Sequence, residues 1–290
     1  MLALSASGAE ATALSEPNGP SELGVAVFRV RAVEASGRVD NGSAVLIAPG
    51  KLVTACHVTR NAQSIELSNG GTTWAARACA ADIPHDLCVL SAPGLASANP
   101  VVIAAQGDLK PGHEVIAVGY PHGGKLVIRR GKVKALHPYH GASVLQVSAP
   151  FDHGQSGGAL FDARGRLVGI TAFKAVAGGD FHFALPLQWL PESALRDDQL
   201  PASSRDPRAR AFWERARESQ PLFLRAASLE ADGKWEALSD VAREWVRVDH
   251  ANPASWLALG RALDRLRRAD EAAEAYRRAA LLEPSSADRP

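Results

Sequence analysis

The chain has 290 residues, enough for two domains with a sizeable core. Its composition is that of an ordinary globular protein, and a net charge of +1 supplies no pull toward nucleic acid or an anionic membrane. No stretch approaches the run of about 18 apolar residues that a membrane span needs, so neither partner is expected.

Residues 1–22 are rich in Ala, Ser, Gly and Pro. Met1 to Ala9 resembles the tail of a signal peptide, with small residues at Ser7 and Ala9, but lacks a basic start and most of an apolar core. The segment is expected to be a disordered leader or a signal-peptide remnant. The second case implies export to a bacterial periplasm or cell envelope, and the first leaves the cytoplasm open.

From Gly24 to about Pro186 the pattern is one of short strands. They are predicted over 25–33, 42–47, 65–67, 72–79, 87–90, 101–103, 114–118, 125–135, 143–147, 158–161, 167–173 and 181–185. Turn signals such as Asn69-Gly70-Gly71, Pro121-His122-Gly123-Gly124, Ala163-Arg164-Gly165 and Gly178-Gly179-Asp180 separate them. No helical stretch comes between consecutive strands, which argues against a parallel α/β sheet. The assignment is a mainly β unit over 23–195, a linker over 196–205, and a helical unit over 206–290, where the apolar period changes to 3.6.

Three segments of the β unit carry chemistry. Leu52 to Val58 is a strand running into a turn that presents His57. Asp82 to Leu90 is a loop with Asp86 at the mouth of a buried strand. Asp152 to Leu160 is a glycine-rich turn around Ser156. A serine hydroxyl is a poor nucleophile until an imidazole takes its proton, and the imidazole needs a carboxylate to fix its tautomer. Gly154 and Gly157 allow a tight turn that aims the N–H groups of Gly154 and Ser156 at a developing oxyanion, so Gly154, Gln155 and Ser156 are the expected oxyanion hole. Each piece alone is weak; in the order His, Asp, Ser within an all-β pattern they are specific. Gly154-x-Ser156-x-Gly158 also meets the nucleophile-elbow pattern, but a strand, a turn and a strand follow where that fold needs a helix.

The three segments resemble chymotrypsin-fold, trypsin-like serine peptidases, most closely the HtrA-like branch. There the histidine lies in Val-Thr-Ala-x-His-Val, the aspartate in Asp-Leu-x-Val-Leu and the serine in Gly-x-Ser-Gly-Gly-x-Leu. Leu167 to Thr171 and Phe183 to Pro186 look like that family's last strands. The resemblance covers about residues 24–190. It implies two packed six-stranded β-barrels with the site in the cleft between them, a serine endopeptidase acting on proteins or peptides, and no cofactor. It also implies a substrate pocket near Pro150, Phe151, His153, Ala172 and His182, without a buried acid to select Lys or Arg. Ala159 stands where proline is common, and Ala172 where a hydroxyl residue often helps hold the aspartate. No PDZ-like segment follows. The rival reading is a catalytically silent protease-fold scaffold.

Cys56, Cys79 and Cys88 cannot all pair, and Cys56 and Cys88 read as small buried thiols, with a Cys79–Cys88 bridge left open. His137-Pro138-Tyr139-His140 has near-metal spacing but no carboxylate or cysteine cluster beside it, and reads as a solvated loop; no metal is expected.

In the helical unit a helix is expected near residues 208–217. Trp256, Leu259, Gly260, Leu263, Ala272, Tyr276, Ala279 and Pro284 then occupy the signature positions of a tetratricopeptide repeat. One period earlier, Leu222, Ala226 and Leu229 fit a degenerate second repeat. Arg261 and Arg265 are expected to face the groove of this module, where a protein partner or an acidic peptide would bind.

Overall fold

The computed structural model describes residues 20–105, 107, 109–174, 181–190 and 209–282. Most of the leader, the predicted linker over 196–205, the Gly178-Gly179-Asp180 turn and Pro284 lie outside these residues.

Among the described residues, twelve strands form two closed antiparallel barrels of six. The first takes β1 (Val27–Glu34), β2 (Val39–Ala48), β3 (Lys51–Ala55), β4 (Ala62–Asn69), β5 (Thr72–Asp82) and β6 (Leu87–Ser91). The second takes β7 (Glu114–Gly119), β8 (Val127–Tyr139), β9 (Ala142–Val147), β10 (Ala159–Asp162), β11 (Leu167–Lys174) and β12 (His182–Leu185). Closure removes the unpaired edges that an open sheet would expose. The inner faces are apolar: Val30, Leu46, Leu52, Leu67 and Leu90 fill the first barrel, and Val115, Val133, Val147, Leu160 and Ala184 lie in the second. Asn69 pairs with Thr72 across Gly70-Gly71, both at positive φ, which gives a two-residue hairpin of the expected kind.

One strand expectation and one loop expectation need correction. The 101–103 segment forms only an isolated bridge, Ile103 to Leu167. The His137–His140 stretch is no solvated loop: β8 runs on through Tyr139, and the turn falls at His140-Gly141. Pro138 and two histidines disguise a strand whose face is covered by helices far along the chain.

Four helices follow among the described residues: α1 (Leu222–Ala231), α2 (Trp235–Val248), α3 (Pro253–Arg265) and α4 (Ala269–Leu282). The Asn252 side chain accepts from Ala254 N at 3.0 Å and so caps α3, whose first residue is Pro253. The expected helix near 208–217 is absent among the described residues; only a single turn, Arg217–Ser219, forms. Residues 209–216 run instead as an irregular strap that buries Ala211 and Phe212, the latter against the outer surface of the second barrel. Burial of Phe212 alone is worth roughly 2 kcal/mol. The second barrel and the helices share one apolar core, in which Phe183, Trp189, Phe212, Phe223 and Trp245 meet.

His137 sits in that shared core, stacked on Phe223 with ring centres 4.5 Å apart and its Nε2 3.0 Å from Gln146 Oε1. Burial pushes its pKa down to about 4, against a smaller opposing pull from the Gln146 hydrogen bond. An unfolded imidazole titrates near about 6.5, so below that pH protonation favours the unfolded chain. The neutral ring's contribution is complete above about pH 6.5 and disappears as the pH falls toward 4, a loss of up to about 3 kcal/mol. Thermal unfolding followed from pH 7.5 to 4 should show a steep fall in Tm that His137→Leu flattens; parallel curves for the two proteins would contradict this account.

Candidate active site

The site lies where the barrels meet, and each of its three principal side chains sits near the end of a strand. β3 ends at Ala55 and passes into a one-turn helix, Cys56–Thr59, which turns His57 out of the sheet. β6 begins at Leu87, directly after Asp86. Because Ala55 pairs with Leu87, the two residues are carried together by strand register.

Asp86 is fully buried and holds φ at 62°, the left-handed region that aspartate tolerates better than most residues. Its backbone is pinned by two bonds: its N–H donates to Ile83 O, and its carbonyl accepts from Cys56 N, both at 3.0 Å. Its carboxylate takes three N–H donors. His57 N lies 2.8 Å from Oδ1, and His57 Nδ1 2.7 Å and Trp213 Nε1 3.1 Å from Oδ2. A carboxylate facing Nδ1 leaves the other ring nitrogen, Nε2, to act as acceptor. Burial is the largest influence on the His57 pKa and lowers it, but the attraction and hydrogen bond of Asp86, aided by Glu214, outweigh burial and the opposing Arg60 charge. The net direction is upward.

The Ser156 turn belongs to the second barrel but is docked on the first. Ser43, fully buried on β2, is the clamp. Its N–H donates to Ser156 O at 2.8 Å, its hydroxyl donates to Gly154 O at 2.9 Å, and the same hydroxyl accepts from Tyr120 N at 2.9 Å. Thr54 Oγ1 donates to Ser43 O at 2.7 Å. Gly157 has φ at 84° and a side chain there would collide with Ser43 O and Thr54 Oγ1, so only glycine allows this approach. On the other flank Thr171 Oγ1 donates to Gln155 O at 2.5 Å, and Gly157 N to Thr171 O at 2.7 Å.

Within the turn, Gln155 N donates to Asp152 O at 2.9 Å and is therefore spent, which takes Gln155 out of the expected oxyanion hole. Gly154 N and Ser156 N donate to no partner among the described residues. The Ser156 hydroxyl donates to Ala172 O at 2.8 Å. His57, Ser156, Gly154, His153, His122 and Glu214 line one open cleft.

The remaining residues singled out in the sequence fall in different surroundings. Pro150 is exposed, and Phe151 packs into the second barrel's core with His182 edge-on at 4.9 Å. Ala172 is buried beside Ser156, and His153 is exposed at the cleft. Arg261 is engaged within the chain, donating to Glu230 at 2.8 Å, and Arg265 lies over the Trp235 ring. No cluster of metal-ligating side chains occurs among the described residues.

Sequence reasoning missed three contributors. Cys56 and Cys88 are not separate thiols but a disulfide, with Cα atoms 4.9 Å apart because β3 and β6 are neighbours. Cys79 is buried outside it, its thiol facing Val89 O. Ser43 and the Trp213-Glu214 pair were also missed; Glu214 grips Arg60 at 2.5 and 2.7 Å. The available signal was Phe212-Trp213, two large aromatics in an otherwise Arg-rich polar stretch.

Comparison with known proteins matches residues 42–170 to the family model of the trypsin-like peptidase domain. A probable serine protease, do-like, of Buchnera aphidicola subsp. Acyrthosiphon pisum is 31% identical over 156 residues, 50% of this chain and 33% of that protein. The periplasmic pH-dependent serine endoprotease DegQ of Escherichia coli K12 is 33% identical over 160 residues, 50% of this chain and 34% of that one. The crystal structure of a serine endoprotease from Yersinia pestis superposes with a TM-score of 0.56 at 26% identity, covering 63% of this chain and 69% of that one. The chain spans about a third of the length of the curated relatives it matches. The match to the trypsin-like peptidase model falls on the two barrels, and the four helices lie beyond the matched residues.

The disulfide closes a sequence separation of 32 residues, for which chain-entropy arguments give about 3–4 kcal/mol. The doubly substituted Cys56→Ala/Cys88→Ala protein should lose about that much unfolding free energy in a denaturant titration. Equal stability with and without the bridge would contradict it.

Proposed function

We propose that this chain is a serine endopeptidase that cleaves proteins or peptides through an acyl-enzyme at Ser156. The carrying observation is that His57 Nδ1 is fastened to a buried carboxylate while its ring shares a cleft with Ser156. The similarity of residues 42–170 to trypsin-like peptidase domains supports the same reading.

In this mechanism the Ser156 hydroxyl leaves its resting bond to Ala172 O and turns to His57 Nε2. As Nε2 takes the proton, Oγ forms a bond to the substrate carbonyl carbon, and the carbonyl π pair moves onto oxygen. The amides of Gly154 and Ser156 are the donors that receive this oxyanion; a donor of this kind is worth about 10²–10³ in rate. Collapse breaks the C–N bond, with the Nε2 proton going to the departing amine. Water then attacks the ester carbonyl carbon as His57 Nε2 takes its proton; collapse breaks the C–Oγ bond, the Nε2 proton passes to Ser156 Oγ, and the carboxylic acid product leaves. Asp86 holds the ring and stabilises the imidazolium formed in each half. No cofactor takes part. The apolar surroundings of Phe151 and Ala172 favour a small or medium apolar residue before the scissile bond.

The helices read as two tetratricopeptide-like repeats that recruit a substrate or protein partner. In support, a Cβ at Gly260 would fall 2.6 Å from the Tyr276 ring, the close approach that the repeat signature anticipates. Export to the periplasm or envelope fits the disulfide and the compartment named for the Escherichia coli relative.

A fluorophosphonate probe should label the folded protein stoichiometrically, and Ser156→Ala should abolish labelling. A folded protein that resists the probe would instead support the silent-scaffold alternative. Since the His57 pKa is held above its usual value, kcat/KM should rise with pH through a midpoint above about 6.5. Glu214→Gln removes an upward influence and leaves Arg60 pushing down, so the midpoint should move to lower pH. A midpoint at or below about 6.5 that ignores this substitution would contradict the electrostatic account.

A further inference from the structure

The indole N–H of Trp213 meets the carboxylate of Asp86 although the two residues are separated by 127 positions of sequence. The bond is 3.1 Å long and ends on Oδ2, the same oxygen that lies 2.7 Å from His57 Nδ1. The indole is also edge-on to the His57 ring, with centroids 5.2 Å apart and planes at 87°, and stacks on Phe173 at 4.8 Å. Its backbone neighbours are fixed on both sides. Phe212 N donates to Pro84 O at 3.0 Å, and the Glu214 carboxylate grips Arg60 and accepts from Ala211 N. Gln220 Nε2 donates to Trp213 O at 2.7 Å, which ties the strap to the turn preceding α1. The strap is thus held at several points, on both sides of Trp213.

A buried carboxylate that must keep one orientation through a reaction needs its lone pairs engaged on every side. Two of the donors here belong to His57 itself, its backbone N–H and Nδ1. The strand residue that borders the serine on β11 is Ala172, which has no hydroxyl to offer. Among the described residues, Trp213 supplies the one side-chain donor to Asp86 that comes from outside the His57 segment.

We propose that Trp213 is a positioning residue of the catalytic relay, so that the strap following the peptidase domain completes the active site. The proposal rests on the peptidase reading above. It makes residues 209–216 part of the catalytic apparatus rather than a tether, and it assigns the absence of a hydroxyl at Ala172 a structural counterpart supplied from the C-terminal side of the domain.

The test is Trp213→Phe, which keeps an aromatic ring against His57 and Phe173 but removes the donor. Loss of one hydrogen bond to a charged group corresponds to about a tenfold effect. The expected result is kcat down about tenfold with KM within about twofold of the parent, and a shift of the downfield His57 Nδ1–H proton resonance in NMR spectra. Unchanged kcat and an unmoved resonance overturn the proposal. So does a loss of kcat with the resonance unmoved, which marks a packing role alone, and so does a rise in kcat/KM, which marks the strap as an obstruction. Failure of the parent protein to react with the fluorophosphonate probe is failure of the peptidase reading, and the resonance comparison still decides whether Trp213 holds the Asp86–His57 pair.

Discussion

A carboxylate buried away from water is costly unless its charge is met by well-placed donors, and Asp86 is the point from which the proposed active site is organised. Its side chain takes N–H groups from His57 and Trp213. Its backbone occupies a left-handed conformation secured by bonds to Ile83 and Cys56. The Cys56–Cys88 bridge begins one residue before His57 and ends two residues after Asp86, so a covalent link encloses the pair at close range. The imidazole orientation is thus settled by strand register, a disulfide and a network of N–H donors before any substrate arrives.

Ser156, the proposed nucleophile, is positioned by a different device. The Ser156 turn is part of the second barrel, yet Ser43 of the first holds Gly154 and Ser156 through their carbonyls. With their carbonyls drawn toward Ser43, Gly154 and Ser156 keep N–H groups that donate to no partner among the described residues, as an oxyanion site requires. One buried hydroxyl therefore connects the barrels and sets the orientation of the turn. The absence of a side chain at Gly157 is the steric condition for that approach.

The barrels and the segments that meet at the cleft are legible in the sequence because they are written locally. Alternating strands, Gly-Gly turns and short motifs around His57, Asp86 and Ser156 each lie within a few consecutive positions. What escapes are relations between distant segments. The disulfide depends on β3 lying beside β6, which periodicity does not reveal. His137 reads as a loop residue because its polar side chain and the following proline suggest one, whereas the cover that makes it a core residue comes from Phe223 and Trp245. The strap reads as a helix because its Arg- and Ala-rich composition suits one, while Phe212 and Trp213 are drawn instead to the barrel surface and to Asp86. In each case a tertiary contact overrides a local preference.

The helices and the second barrel share a continuous apolar core, so the helices beyond the matched family residues are built onto the barrels. The central claim is that the cleft between the barrels hydrolyses peptide bonds with Ser156 as nucleophile. Digestion of a peptide library, read by mass spectrometry, tests it most directly. The account predicts new termini at a restricted set of bonds, absent when Ser156 is replaced by alanine. Products identical in the two digests, or none from a folded parent protein, would contradict it.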